Sequence, residues 1–380
     1  VVIVGGGFGG IRASQELAKY SDEFDITLVS DKPHFEYQAA LYRIVAGGSP
    51  LEVCVPITEI FADTKVNVET DTIKKIDLRG QTASGESGTV YKYDYLVLAL
   101  GSETAYFNIP GLLDYSFGFK SIAEAIDLNR HLKSLMMAGQ PASIAIVGGG
   151  PSGVELAGEL ATYLPTFISI NLFEGAPRLL PSLSLEISSE ATKRLHELGV
   201  NIFVNRPLEK EEVDGIFLKD LELKTKTVIW TAGVKPNHLY NEIAGLTLDK
   251  KGRVNVDEHL HPPGWSNVFV IGDGAATRYT GMAQTAIHNA SYVARQINGQ
   301  GLTSYCPKSA IYALPIGPGW AVVKLGPSVI VGRFGWFLRR AADLRFFLSI
   351  LPLGKAWTAF HPQHILGGTC KLCATDAAML

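Results

Sequence analysis

The chain has little cysteine, no long uninterrupted apolar run and no excess of charge of one sign. Each shortage removes a class of protein. Four cysteines in 380 residues do not make a disulfide framework, so a reducing compartment is the simpler expectation. Cys54 is the only cysteine before Cys306. A redox-active dithiol needs two thiols a few residues apart, and that spacing is missing from the N-terminal part, which argues against a disulfide reductase. No stretch of about 18 apolar residues occurs, so no helix is expected to span a bilayer. A formal charge of −3 gives no electrostatic case for nucleic acid, whose partners carry a basic excess. The chain starts at Val1, already inside an apolar strand, and further residues are expected to precede it.

Glycine, by contrast, is abundant. The 39 glycines exceed ordinary usage and imply many tight turns and close backbone approaches. A hydrophobic fraction of 47% with 19% charged residues is that of a folded globular chain, and the length fits two or three domains.

One plan occurs twice. Val1-Val2-Ile3-Val4 reads as a buried parallel strand and runs into Gly5-Gly6-Gly7-Phe8-Gly9-Gly10, then a helix from Ile11 to about Tyr20 and a strand at Ile26-Thr27-Leu28-Val29. Ile144-Ala145-Ile146-Val147 likewise runs into Gly148-Gly149-Gly150-Pro151-Ser152-Gly153. A helix to about Tyr163 and a strand from Ile168 to Phe173 follow. Each unit is strand, G-x-G-x-x-G, helix, strand. Gly5 and Gly148 permit the turn out of the strand, and Gly7 and Gly150 open backbone amides to a pyrophosphate. Gly10 and Gly153 let the helix pack closely, with its positive end toward the phosphates. One such motif is weak evidence; two, each in the correct context, specify dinucleotide binding.

The acid after the second strand refines this. Glu174 follows Leu172-Phe173, where a carboxylate accepts hydrogen bonds from both ribose hydroxyls and repels a 2′-phosphate, favouring NADH over NADPH. The plainer alternative is a solvated acid at a strand end. In the first unit Ser30 stands directly after the strand, and Asp31 lies 26 positions beyond the first glycine, as Glu174 does. Asp31 is the expected ribose ligand there, with Ser30 as its substitute. Tyr95 to Gly101 and Val228 to Gly233 are two more strands ending in small-residue turns. Asn267 to Asp273 is a strand whose terminal Gly-Asp can bring a carboxylate to a flavin ribityl chain. A helix from about Ala283 to Ile297 then points its dipole at the flavin pyrimidine edge.

These segments resemble the two-dinucleotide-binding-domain flavoproteins, and among them the type II NADH dehydrogenases, the single-subunit NADH:quinone oxidoreductases. The matching stretches are Gly5 to Gly10, Tyr37-Gln38-Ala39-Ala40-Leu41-Tyr42, Ala99-Leu100-Gly101, Gly148 to Glu155, and Glu174 to Pro181. Trp230-Thr231-Ala232-Gly233, Val270-Ile271-Gly272-Asp273 and Ala283-Gln284-Thr285-Ala286 match as well. The resemblance covers residues 1–300 well and the remainder loosely. It implies a non-covalent FAD reduced by NADH and reoxidised by a membrane quinone. FAD is then held by Gly5, Gly7, Phe8, Gly9, Gly10, Ser30, Asp31, Gly101, Asp273, Ala283 and Gln284. NADH is held by Gly148, Gly150, Pro151, Ser152, Gly153, Glu155, Glu174, Ala232 and Gly233. Glu155, Gln284 and His288 are the implied catalytic positions. Glu155 is read as a positioning or proton-handling group, against the alternative of a helix-terminal carboxylate stabilised by the dipole.

The chain also departs from the family. Ser30 occupies a place usually acidic, His288 stands where the family has Gln, and Gly317-Pro318-Gly319-Trp320 replaces a more polar run. His288 bears on the quinone site, because an imidazole titrates where an amide does not. Sulfide:quinone reductases share this type of fold but use a mid-chain cysteine, and residues 55–305 contain none. Cys370-Lys371-Leu372-Cys373 is a lone C-x-x-C. A zinc site there would need His361, His364 or Cys306, so no metal is expected.

The C-terminal part carries a second signal. Residues 333–355 hold Arg333, Arg339, Arg340, Arg345 and Lys355 against Asp343 alone. On a helix, Phe337, Ala341, Leu344, Leu348 and Leu351 share one face, with Arg339, Arg340 and Asp343 away from it. Such a helix suits an anionic lipid surface; the alternative is a core-packing or homodimer helix with solvated arginines. Pro352 is expected to end or kink it.

The expected architecture is α/β, with two Rossmann-like doubly wound domains and a C-terminal helical membrane-facing segment. The FAD domain takes about 1–108 and 241–305, the NAD(H) domain 109–240, and the C-terminal segment 306–380. The expected location is peripheral, on the cytoplasmic face of a membrane. Two other functions fit parts of the pattern: a soluble FAD reductase with a protein acceptor, and a slow redox-sensing flavoprotein akin to apoptosis-inducing-factor relatives.

Overall fold

The computed structural model describes residues 1–300 and 303–360. Its labelled elements are β1 (Val2–Val4), α1 (Phe8–Ala18), β2 (Thr27–Ser30), α2 (Leu41–Val45), β3 (Asn67–Thr70), β4 (Leu96–Leu98) and α3 (Ile122–Ala138). The second unit comprises β5 (Ala142–Val147), α4 (Pro151–Tyr163), β6 (Ile168–Phe173), α5 (Leu185–Glu197), β7 (Asn201–Phe203) and β8 (Thr227–Trp230).

Aliphatic, fully buried triplets such as Val2-Ile3-Val4 and Leu96-Val97-Leu98 have no solvent face, as strands covered on both sides by helices must. They build a five-stranded parallel sheet in the order β9-β4-β1-β2-β3, where β9 is Val268–Val270. Val4 pairs with Val29 on one side and Leu98 on the other, and Val270 pairs beyond Leu98. The second unit makes a four-stranded parallel sheet, β7-β6-β5-β8. β1 and β5 are central, so each glycine loop leaves the middle of its sheet at the carboxyl end. The chain passes between the sheets twice, and the two passes, Ser102–Thr104 and Val234–Pro236, pair as an antiparallel ribbon. α3 opens with a capping box, Ser121 and Glu124 each bonding the other's backbone amide.

After β9, α6 (Ala283–Ile297) packs against α1. A three-stranded antiparallel sheet follows, β10 (Tyr312–Pro315), β11 (Ala321–Leu325) and β12 (Ser328–Val331), then α7 (Gly332–Ile350) and α8 (Leu353–Phe360). A Cβ on Gly335 would stand 2.4 Å from the Ala321 carbonyl oxygen, so glycine there lets α7 lie on β11. α7 stops two residues before Pro352.

The faces of α7 need a correction. Arg339 and Asp343 lie away from the apolar stripe, as the periodicity requires, but they are buried rather than solvated. The stripe itself faces outward, with Phe337 60% and Leu348 42% exposed, while Leu351 is buried. Asp343 can be buried because it accepts from the Tyr37 hydroxyl at 2.8 Å and from Arg43 Nη2 at 2.6 Å. A buried carboxylate is tolerated when it is paired in this way. Cys54 is disulfide-bonded. The C-x-x-C at Cys370 and Cys373, with His361 and His364, lies outside the described residues. Among the described residues no helix is long and apolar enough to cross a membrane.

Replacing Gly10 by Ala would place its Cβ 1.8 Å from the Gly5 carbonyl oxygen. Backbone cannot yield cheaply at that point, so a loss of about 1–3 kcal/mol is expected, together with loss of bound flavin. Thermal melting with the flavin content of the purified protein measures both. Unchanged values would mean the helix does not need this approach.

Candidate active site

Two cradles sit at the ends of β1 and β5. Gly5 and Gly148 adopt φ of +113° and +121°, a conformation that favours glycine. Added Cβ atoms there would meet Ala99 O at 2.3 Å and Ala232 N at 2.6 Å, so each loop is also pressed against the neighbouring strand end. Gly10 and Gly153 repeat the fit, their Cβ positions falling 1.8 Å and 1.9 Å from the carbonyl oxygens of Gly5 and Gly148. At Gly7 and Gly150 the opposite holds. Nothing lies within 4 Å of either Cβ position, and both residues cap helices whose first turns contain no acid. Bare amides, open space and a positive helix end together form an anion cradle.

The rims differ. In the second cradle Glu174 Oε2 accepts from the Gly149 amide and Oε1 from the Ala176 amide, both at 2.8 Å. The carboxylate is thereby aimed across the loop mouth. In the first, Ser30 is buried, its Oγ accepts from the Lys32 amide at 3.3 Å, and a Cβ on Gly6 would touch that Oγ. Asp31 is exposed. Phe8 starts α1 and stacks edge-on against Phe35 and Tyr37. Gly9 faces Ile271. Gly101, with φ of +67°, turns the chain out of the first sheet.

A cavity opens where the two units face each other. α4 contributes Ser152 and Glu155, and the turn after β8 contributes Thr231 and Gly233. Gln38, Leu41, Tyr42, Thr104 and Lys120 also line it. Glu155 is half-buried. Desolvation pushes its carboxyl up to about 8, with Arg339 and Arg43 pulling down and Asp343 and Glu159 pushing up. Lys120 Nζ donates to Ser102 Oγ at 3.0 Å, and Ser102 Oγ donates to Asp273 Oδ2 at 2.5 Å. Burial draws the Lys120 ammonium down, opposed by Asp273 and Glu124.

Gln284 and His288 do not line this cavity. Gln284 is exposed and binds both backbone groups of Ile311, donating to its O at 2.8 Å and accepting from its N at 3.1 Å. Ala283 begins α6 beside it. His288 Nδ1 lies 3.1 Å from the Tyr305 hydroxyl. Burial, with Lys308 and Arg295 nearby, holds the imidazole below its ordinary range. Among the described residues no His, Cys, Asp or Glu cluster is arranged to hold a metal ion.

Residues 1–290 match the pyridine nucleotide-disulphide oxidoreductase family. The type II NADH:quinone oxidoreductase Ndh of Mycobacterium tuberculosis is 30% identical over 92% of this chain and 84% of its own length. The chain belongs to the type II NADH:quinone oxidoreductases. The Staphylococcus haemolyticus enzyme of that name is also 30% identical, over 94% of this chain and 97% of its own. The fold agrees with that of NDH2 from Plasmodium falciparum in complex with NADH, at a TM-score of 0.84 and 20% identity over 95% and 96% of the two chains.

FAD and NADH are the cofactors of this family, and the two cradles fit them. Each has space where a Cβ would otherwise stand, and each sits at a helix N-terminus. The α6 N-terminus and Asp273 flank the first cradle; Glu174 guards the second. In this type II NADH:quinone oxidoreductase chain, residues that its motifs did not single out also lie at or behind the cavity wall. Lys120 had no local signal beyond preceding a capping box. Arg43 stands in no motif, and the four-residue spacing of Arg339 and Asp343 allows a pair on one helix.

Removing the Glu174 carboxylate (Glu174→Ala) would free two loop amides and the anion that opposes a 2′-phosphate. Charge-assisted hydrogen bonds of this kind are worth roughly 1.5–3 kcal/mol. At least a tenfold loss of NADH affinity and a weaker preference over NADPH are expected in flavin-bleaching titrations. An unchanged NADH-to-NADPH ratio would remove Glu174 from cofactor selection.

Proposed function

We propose that this chain oxidises NADH and reduces a membrane quinone, with Glu155 handling the proton that hydride transfer does not supply. Bound FAD would accept hydride from the dinucleotide and pass its electrons onward. The observation that carries this reading is the cavity between the cradles, with Glu155 on its wall. Ser152 and Gly233, beside the second glycine loop, line the cavity. Gln38, Leu41 and Tyr42 line it as well. Two rings brought there would be held face to face with little water between them.

Quinone takes up two electrons and two protons to leave as quinol. NADH provides both electrons and one proton as hydride, so one further proton must be delivered. A carboxyl titrating near 8 is largely protonated at neutral pH. It can give up that proton and regain it from solvent along the cavity. His288, with its imidazole biased to the neutral form, belongs to the acceptor side with Gln284.

The exposed stripe of α7 supports a membrane-surface location. Phe334, Phe337 and Leu348 on α7, with Leu353 and Trp357 on α8, are large apolar side chains left in water, as an interfacial segment requires. Arg333 and Arg345 flank it, both exposed, and suit anionic headgroups. The location is peripheral, on the face of the membrane supplied with NADH, read as the cytoplasmic one.

Anaerobic stopped-flow mixing tests the reaction: NADH should bleach the flavin quickly, and a short-chain quinone should restore it quickly. Fast bleaching with slow return would leave the cofactors in place and remove the quinone. The wild-type return rate should fall as pH rises through about 8, since the proton on Glu155 is then lost, whereas Glu155→Gln should be slow throughout and flat. For the membrane, replacing Phe337 and Leu348 by Glu should weaken sedimentation with phosphatidylglycerol vesicles at least tenfold, because each buried side chain contributes roughly 1.5–3 kcal/mol. Equal binding by the double variant would place the contact elsewhere.

A further inference from the structure

A helix from the far C-terminal layer reaches the back of the cavity wall and buries both an acid and a base there. Asp343 is fully buried. Besides Tyr37 and Arg43, it faces Arg339 Nη1 at 3.3 Å and Arg340 Nη1 at 3.6 Å. Arg339 also donates from Nη2 to the Ala39 carbonyl at 2.7 Å. Its Nε, shielded from solvent, has no hydrogen-bond partner.

Two features of this cluster go beyond fastening a helix. The first is its address. Tyr37, Ala39 and Arg43 are interspersed along the chain with Gln38, Leu41 and Tyr42, which line the cavity. The contacts of Arg339 and Asp343 with this segment are therefore with residues interspersed among the lining ones rather than with the lining residues themselves. The second is its charge. Three guanidiniums surround one carboxylate, so the cluster is not neutral, and buried charge is poorly screened. The groups acting on Glu155 are Arg339 and Asp343 from α7, Arg43 and Tyr42 from α2, and Glu159 one turn along α4. Lys120 lines the same cavity.

We propose that Arg339 and Asp343 are positioning residues of the reaction, clamping the Gln38–Arg43 wall and imposing opposing fields on the Glu155 carboxyl. The inference rests on Glu155 as the proton donor. It makes the C-terminal helix a working part of the electron-transfer site as well as a surface element. A cation behind the carboxyl favours its ionised form, and an anion favours its protonated form. The arginine thus keeps the proton releasable, and the aspartate keeps it present at neutral pH.

The two residues must then act with opposite signs, which a purely mechanical clamp would not produce. The test uses the full-length FAD-bound protein. The infrared carbonyl band of protonated Glu155, identified by its loss in Glu155→Gln, is followed against pH. Arg339→Gln should move its midpoint up, and Asp343→Asn should move it down. Each shift should be on the order of one pH unit, tenfold in proton affinity. Arg339→Lys, which keeps the charge, should restore most of the wild-type midpoint. Should Asp343→Asn fail to fold, the contrast between Gln and Lys at position 339 decides the matter. A titrating band that ignores the substitutions, or moves the same way in both, overturns the proposal alone. A wild-type band that never titrates between pH 6 and 10 overturns the proton-donor reading and this proposal with it.

Discussion

A helix can present its first amides to a ligand beyond a strand only if no side chain stands where the two backbones cross. In this chain that crossing occurs twice, where the Gly10 Cα meets the Gly5 carbonyl and the Gly153 Cα meets the Gly148 carbonyl. The space for a methyl group is absent at both. The tight turn at Gly5 and Gly148, the open amides at Gly7 and Gly150, and the direction of α1 and α4 all depend on this approach. So does the cavity, because Ser152 and Glu155 lie on the first two turns of α4. The ribbon of Ser102–Thr104 with Val234–Pro236 then links the two sheets beside that cavity. Lys120, Ser102 and Asp273 form a polar chain along its base.

The same geometry explains the division of labour among carboxylates. Glu174 accepts two backbone amides at the rim, where a ribose needs acceptors. Glu155 has desolvation on its side and no hydrogen bond of that kind to offset it, so it holds its proton to about 8. Asp343 is enclosed by guanidiniums and a tyrosine hydroxyl. Three acids of one chemistry thus sit in three different surroundings.

Much of this was legible in the sequence. Both strand–loop–helix units, the parallel sheets and the bounds of the Ala283–Ile297 helix follow from apolar runs and glycine spacing, which are local signals. The places of Glu174 and Asp273 at the carboxyl ends of strands were readable from the apolar runs that precede them. What could not be read depends on contacts across hundreds of residues. Arg43 and Asp343 are 300 positions apart, and neither has a local pattern that announces burial. Helical periodicity separated Asp343 and Arg339 from Phe337 and Leu348 correctly, but it could not say which side faced protein. The structure gives the charged side to the core and leaves the apolar side exposed, the reverse of an ordinary soluble helix. Gln284 illustrates a different limit: the motif marks its place, but its amide is occupied by the backbone of Ile311.

The account requires that nicotinamide and flavin rings meet in one cavity beside Glu155. Stacked rings absorb together at long wavelength, so the direct measurement is the spectrum of the anaerobically reduced protein as NAD⁺ is added. A broad charge-transfer band should grow to saturation, and it should be lost when Gly150 is replaced by Val, which fills the second cradle while leaving the first intact. Saturable NAD⁺ binding without such a band would contradict the account, because the dinucleotide would then be held where its ring cannot reach the flavin.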